Sequence, residues 1–171
     1  MEYSESPHRP LHIYNDDAWY FITASTVHRA RILKTPAHCY VWCAELFAAV
    51  AALKLKLAAW ALLQNHYHLL VELPRGRDLS SFMKTLHGRT SYVFNELDSC
   101  RGRQVWYSYW DLCIRNEDDF WARLNYIHYK PVHHGYVDYP EDWEFSSYRG
   151  FLRNAGRRSF RRRARDQPVT T

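Results

Sequence analysis

Two apolar runs, Ala58 to Leu63 and Tyr67 to Leu73, are separated only by Gln64, Asn65 and His66, and this spacing restricts the fold more than any other feature of the sequence. Runs this short, closed by polar turn residues and by Pro74, are strands, and so brief a link joins them as an antiparallel hairpin. Upstream, Trp19 to Val27 alternates apolar residues and threonines with small or polar ones and is rich in aromatic and β-branched types, which predicts a first strand. Thr35 followed by Pro36 has the form of an N-cap with proline at the first helical position, leading into a helix through Cys39 to Leu53. Downstream, Asp78 can cap a helix from Leu79 to about Leu97, whose apolar positions recur at helical spacing while Lys84, His87 and Arg89 occupy another face.

The aromatic segment Val105 to Arg115 predicts a loop entering a fourth strand. Asn116 and Asp119 then form a capping pattern, so a last helix starts at Glu117, and Pro131 predicts its end near Lys130. The order β-α-β-β-α-β plus a further helix predicts an α+β fold: a ferredoxin-like split βαβ with an antiparallel sheet, helices on one face and an additional C-terminal helix. A length of 171 residues with 47% hydrophobic and 16% aromatic content suits one folded domain, taken here as residues 1–150.

No apolar run reaches the roughly 18 residues of a membrane span, and the acidic stretch Met1 to Ser6 lacks the pattern of a signal peptide, so a cytoplasmic, bacterial protein is expected. Cys39, Cys43, Cys100 and Cys113 contain no CxxC pair and are expected to be reduced thiols without a role. The net charge of +5 is unevenly placed: residues 1–148 carry 15 Lys and Arg against 17 Asp and Glu, whereas residues 149–171 carry 8 Arg against one Asp. Residues 151–171 are thus expected to be a disordered basic tail in which Arg157, Arg158, Arg161, Arg162, Arg163 and Arg165 neutralise phosphates, and nucleic acid is the expected partner.

Two patterns carry chemistry. In Asn65-His66-Tyr67-His68-Leu69-Leu70-Val71, histidines two apart in a strand project from one sheet face, where two neutral imidazoles can grip a divalent ion. By itself the pair is a weak signal, because histidines on a solvated sheet face have the same spacing. Leu124-Asn125-Tyr126-Ile127-His128-Tyr129-Lys130-Pro131-Val132, at the end of the last helix, offers a tyrosine hydroxyl. A phenol titrates near 10 and attacks phosphorus well only when it is oriented and electrostatically assisted.

These two segments, together with His87-Gly88-Arg89-Thr90, Val105-Trp106-Tyr107-Ser108-Tyr109-Trp110-Asp111 and Glu141-Asp142-Trp143-Glu144-Phe145-Ser146-Ser147-Tyr148, resemble in this order the REP-associated branch of the single-tyrosine HUH transposases, which are IS200-like. The likeness runs from about Trp19 to Tyr148. It implies an HUH domain with Mg²⁺ or Mn²⁺ as cofactor and single-stranded DNA hairpins of the repetitive extragenic palindrome type as substrate. It also implies strand cleavage and transfer through a 5′-phosphotyrosine. On the matching positions, His66 and His68 become metal ligands, Tyr126 becomes the nucleophile, and its helix becomes the nucleophile-bearing one.

The chain departs from that branch at Lys130, where asparagine is usual and a third metal ligand is implied; a protonated ammonium has no lone pair to offer. A water or one of His128, His133 and His134 is left to complete the sphere, with His128, two residues from Tyr126, expected to face elsewhere. Lys84 and Arg89 near the presumed site, with Arg101 and Arg103 in the following loop, are expected phosphate contacts. Trp106, Tyr107, Tyr109 and Trp110 are candidate stacking surfaces for bases, with core packing expected for at least two of them. A monomer or a homodimer associated with the nucleoid fits this reading. A hairpin-binding protein that has lost cleavage, and an RNA-binding module on the same architecture, are the alternatives.

Overall fold

The computed structural model describes residues 15–154. Arg157, Arg158, Arg161, Arg162 and Arg163 lie outside the described residues, and a helical turn over 148–154 crosses the boundary expected at residue 150. The elements follow the expected order: β1 (Ala18–Thr26), α1 (Pro36–Ala52), β2 (Lys56–Leu62), β3 (His66–Leu73), α2 (Asp78–Leu97), β4 (Trp106–Cys113) and α3 (Glu117–His133). The strands form one antiparallel sheet in the order β2-β3-β1-β4. The strand that closes each β-α-β unit is thus separated from its opener by a third strand, as a split βαβ requires.

Strand alternation divides the interior into two layers. Tyr20, Ile22 and Ala24 on β1 and Tyr67, Leu69 and Val71 on β3 point toward α1 and α2, where Trp42, Leu46, Phe82 and Leu86 complete one core. Phe21 and Leu70 point to the opposite face, where Ala59 and Ala61 on β2 meet Leu124 and Ile127 of α3. The two crossover helices therefore share one face and α3 has the other. Gly76 shows how closely the first layer is sealed, because a Cβ there would stand 2.6 Å from the Asn15 carbonyl and 2.8 Å from the Tyr20 hydroxyl.

Helix starts follow their capping residues more closely than helix ends follow proline. The Thr35 side chain accepts from the His38 amide, and the Asn116 Oδ1 accepts from the Asp119 amide at 2.8 Å. Asp78 is not a cap: it lies inside the first turn of α2 and takes the Arg75 guanidinium at 2.8 Å. Nor does α3 end at Lys130. It continues through Pro131 and closes on Gly135, at φ +68°, with Gly135 N donating to Val132 O and Tyr136 N donating to Pro131 O. That pair of bonds is the Schellman arrangement, which needs a left-handed residue just past the helix. Pro131 removes one amide donor without stopping the turn beyond it.

The segment Glu141–Tyr148 lies along the outer edge of β2. Phe145 O accepts from Leu62 N, and the Ser147 amide and Trp60 O bond at 2.9 Å. Ser147 Oγ also bonds His128 Nε2 at 2.8 Å, which ties α3 to this edge and turns His128 away from the histidine pair, as its position in the helix predicts. This resembling segment therefore protects a sheet edge.

Burial pushes His87 down to about 4 and His128 down to about 3. Both are neutral in the fold, whereas the unfolded chain binds their protons near pH 6.5. Stability is therefore complete above that pH and is lost as pH falls from 6.5 toward these folded values. With about 1.4 kcal/mol per pH unit as the limit for each group, thermal denaturation should show a loss on the order of 2–4 kcal/mol between pH 6.5 and pH 5. A melting temperature that stays constant across that interval would contradict the buried neutral assignment.

Candidate active site

The α3 face of the sheet gathers the residues with reactive potential. His66 and His68 share the parity of Leu70 and so turn toward α3, with ring centres 5.1 Å apart. Tyr126 comes down from α3 with its ring 5.3 Å from His68 and 5.7 Å from Phe21. The structure thus brings together two segments that lie 60 residues apart in the chain.

Each imidazole is oriented through its Nδ1. Asn65 Nδ2 donates to the Arg29 carbonyl at 3.1 Å, which directs Asn65 Oδ1 toward His66 Nδ1 at 2.7 Å. That oxygen can only accept, so His66 carries its proton on Nδ1 and keeps a lone pair on Nε2. His68 Nδ1 bonds the Thr23 hydroxyl at 2.7 Å, while its buried Nε2 has no hydrogen-bond partner among the described residues. A ring held through one nitrogen with the other left over is the usual condition of a histidine ligand.

Burial, then the charges of His134, Lys130 and Arg29, push His66 down to about 4. His68 is held well below its ordinary range by burial first, then by His66, Lys130 and His134. Both are therefore neutral near pH 7, as metal ligation requires. The pair fits a divalent cation as two of its ligands. Among the described residues no group of three His, Cys, Asp or Glu is placed to hold one. His134 comes nearest to extending the pair, with its ring 5.0 Å from His66 and stacked 5.7 Å from Tyr136.

Lys130 lies inside this group. Its Nζ is 4.4 Å from the centre of the Tyr126 ring, a cation over an aromatic face, and its charge contributes to the lowering of both histidines. The helix places it there because residues four apart lie on the same side.

The expected nucleic-acid contacts are not gathered at this site. Lys84 and Arg89 ride on α2, across the sheet from the histidine pair, and Arg89 pairs with Glu45 of α1 at 3.4 Å. Arg101 pairs with Glu96 at 3.2 Å, and Arg103 binds Asn95, Asp98 and the Phe94 carbonyl, so it holds its own loop. Trp106 is 4% exposed, stacks on His87 at 4.9 Å and donates to Thr90 Oγ1, so no face is open to a base. Its register explains this, because Trp106 and His87 contribute to the α1–α2 core together with Tyr67. Tyr107 and Trp110, at 66% and 41% exposure, do present open rings. The sequence gives no sign of Thr23 or Arg123 in the site; both lie next to it only through strand pairing and helix placement.

A family model described as Transposase IS200 like matches residues 16–130, which include His66, His68 and Tyr126. A REP-associated tyrosine transposase of Escherichia coli (strain K12) is 32% identical over 92 residues, covering 53% of this chain and 52% of that protein. A Haemophilus influenzae protein that carries the same name provisionally is 33% identical over 101 residues, covering 53% of this chain and 57% of its own length. The chain therefore spans about half the length of the curated relatives it matches. A solved structure of a REP-associated tyrosine transposase bound to a REP hairpin has the same fold, with a TM-score of 0.73 at 24% identity over 88% of this chain and 87% of that one. Among the described residues no helix is long and apolar enough to cross a membrane.

Proposed function

This chain belongs to the IS200-like transposase family, and on that premise we propose that it cuts and rejoins single-stranded DNA at hairpin-forming repeats, with Tyr126 as the nucleophile. The observation that carries the reading is the contact of Tyr126 with His68, on the face the two histidines share. In the reaction, the Tyr126 oxygen forms a bond to phosphorus, the bond from phosphorus to the 3′ oxygen breaks, and the 3′ end leaves as a hydroxyl after taking a proton. The 5′ end stays on the enzyme as a phosphotyrosine. Because that ester conserves the energy of the broken bond, attack by another 3′-hydroxyl restores DNA without ATP, and a different 3′ end makes the step a strand transfer.

His66 and His68 would hold Mg²⁺ or Mn²⁺, which when bound neutralises charge on the phosphate under attack. Asn65 and Thr23 keep both rings in the ligating orientation, and burial keeps them unprotonated. Lys130 places a fixed positive charge over the Tyr126 ring, 4.4 Å from its centre. The test is a denaturing gel of protein incubated with a labelled hairpin from inverted repeats beside the coding region. A covalent adduct that retains the fragment 3′ of the cut, joined through its 5′ phosphate, supports the reading. Tight hairpin binding with no adduct under any divalent ion would favour a binding protein that has lost cleavage, and preference for an RNA hairpin would favour the RNA-binding alternative.

Lys130 also sets the demand for metal. An ammonium next to a divalent ion costs on the order of several kcal/mol at an effective dielectric near 20. Lys130→Asn is therefore expected to lower the Mn²⁺ concentration for half-maximal single-turnover cleavage by roughly tenfold, since ~1.4 kcal/mol of relief suffices for that factor. A fall in rate at saturating Mn²⁺ would instead show that the ammonium works in the chemistry.

A further inference from the structure

Arg123 stands on α3 one turn before Tyr126, and its guanidinium lies 5.1 Å from the centre of the Phe21 ring. Phe21 stacks on His68 with 12° between the planes and meets Tyr126 edge-on, so the guanidinium is one ring away from both. Among the described residues Arg123 has no carboxylate or hydrogen-bond acceptor, in contrast to Arg75, Arg89, Arg101 and Arg103, which are all paired. A guanidinium resting on an aromatic face keeps its N–H fork free, and that fork matches the paired oxygens of a phosphodiester.

Trp110 also meets the Phe21 ring, in an edge contact 6.0 Å away and at 73°. It stands on β4, at the edge of the sheet, and α3 packs over β2 and β3 rather than over this strand. Its indole therefore keeps an open face. A flat open ring and an unpaired cation against one shared aromatic ring match the two parts of a nucleotide, the base and the phosphate.

We propose that Arg123 and Trp110, which both contact Phe21, form a subsite for the unpaired nucleotide adjoining the scissile bond. Arg123 holds its phosphodiester, Trp110 stacks its base, and the pair sets which phosphate meets Tyr126. This inference rests on the reading of the chain as a single-strand nuclease. Both residues act as positioning residues, since the bond is made by Tyr126.

The test uses the full chain and the hairpin with its single-stranded flank, with the flank phosphates replaced one at a time by neutral methylphosphonate and its bases one at a time by abasic sites. Binding and single-turnover cleavage are both read. One methylphosphonate should weaken wild-type binding about tenfold yet cost Arg123→Ala nothing further, because the partner of that charge is already gone. Arg123→Lys should recover part of the affinity at that position alone. An abasic site next to it should weaken the wild type about fivefold or more and leave Trp110→Ala unaffected. Penalties that simply add at every position, or Arg123→Ala binding like wild type, would overturn the subsite. If the wild type binds the flanked hairpin but forms no adduct, the cleavage reading fails, while the binding measurements still decide on Arg123 and Trp110.

Discussion

Tyr126→Phe is expected to abolish the covalent adduct and lower cleavage by at least about a thousandfold, with hairpin binding within about twofold of wild type. The substitution removes one oxygen and nothing else. The ring keeps its edge contacts with His68 and Phe21 and the Lys130 ammonium over its face, so packing and local charge are preserved. Because the chemistry proposed for this oxygen cannot be done by a phenyl ring, the loss should not be recovered by raising the metal concentration or the pH. Tyr129 is the natural substitute to examine if an adduct persists. Its ring, however, lies 6.5 Å from Tyr148, on the side of α3 facing the C-terminal segment, while Tyr126 faces the histidines. An adduct formed at full rate by Tyr126→Phe and lost in Tyr129→Phe would move the nucleophile and end the assignment made here.

The elements were legible wherever a local rule set them. Thr35 and Asn116 mark helix starts through side-chain bonds to nearby amides, which sequence displays directly. The end of α3 is set by Gly135 and not by Pro131, because a glycine in the left-handed region terminates a helix more surely than a proline one turn earlier. Which sheet face holds the site was not legible. β3 is buried on both sides, so its apolar run gives no alternation to separate His66 and His68 from Tyr67. For the same reason Lys84 and Arg89 could be expected beside the histidines when they lie across the sheet. Trp106 and Trp110, four residues apart in one aromatic strand, have opposite fates because the pairing of β1 with β4 shifts register between Ala24 and Thr26. Such a shift leaves no mark in composition. Arg123 was not legible, because in sequence an isolated arginine on a helix has nothing to distinguish it, and its contact with Phe21 exists only in the fold.

His68→Ala is expected to remove Mg²⁺- or Mn²⁺-dependent cleavage, by about a thousandfold or more, while weakening binding of the uncut hairpin far less. His68 is 3% exposed with its Nε2 unpartnered, so the alanine deletes a ligand that solvent does not readily replace. It also leaves Thr23 Oγ1 without its partner and opens a gap under Tyr126, which together should cost about 1–3 kcal/mol of stability. That cost could be mistaken for the cause of the lost activity, so the decisive measurement is one that needs no turnover. Saturating Mn²⁺ should raise the melting temperature of wild type and of Tyr126→Phe alike, because ligand bound only by the folded state stabilises it by RT ln(1 + [L]/Kd). The same Mn²⁺ should leave His68→Ala and His66→Ala unshifted, and Lys130→Asn, freed of its competing charge, should show the largest shift at low Mn²⁺. If His68→Ala melts as much higher with Mn²⁺ as wild type does, the ion is held elsewhere. If wild type cleaves at full rate in excess EDTA, His66 and His68 serve the tyrosine by packing alone, and the charge near its ring is that of Lys130.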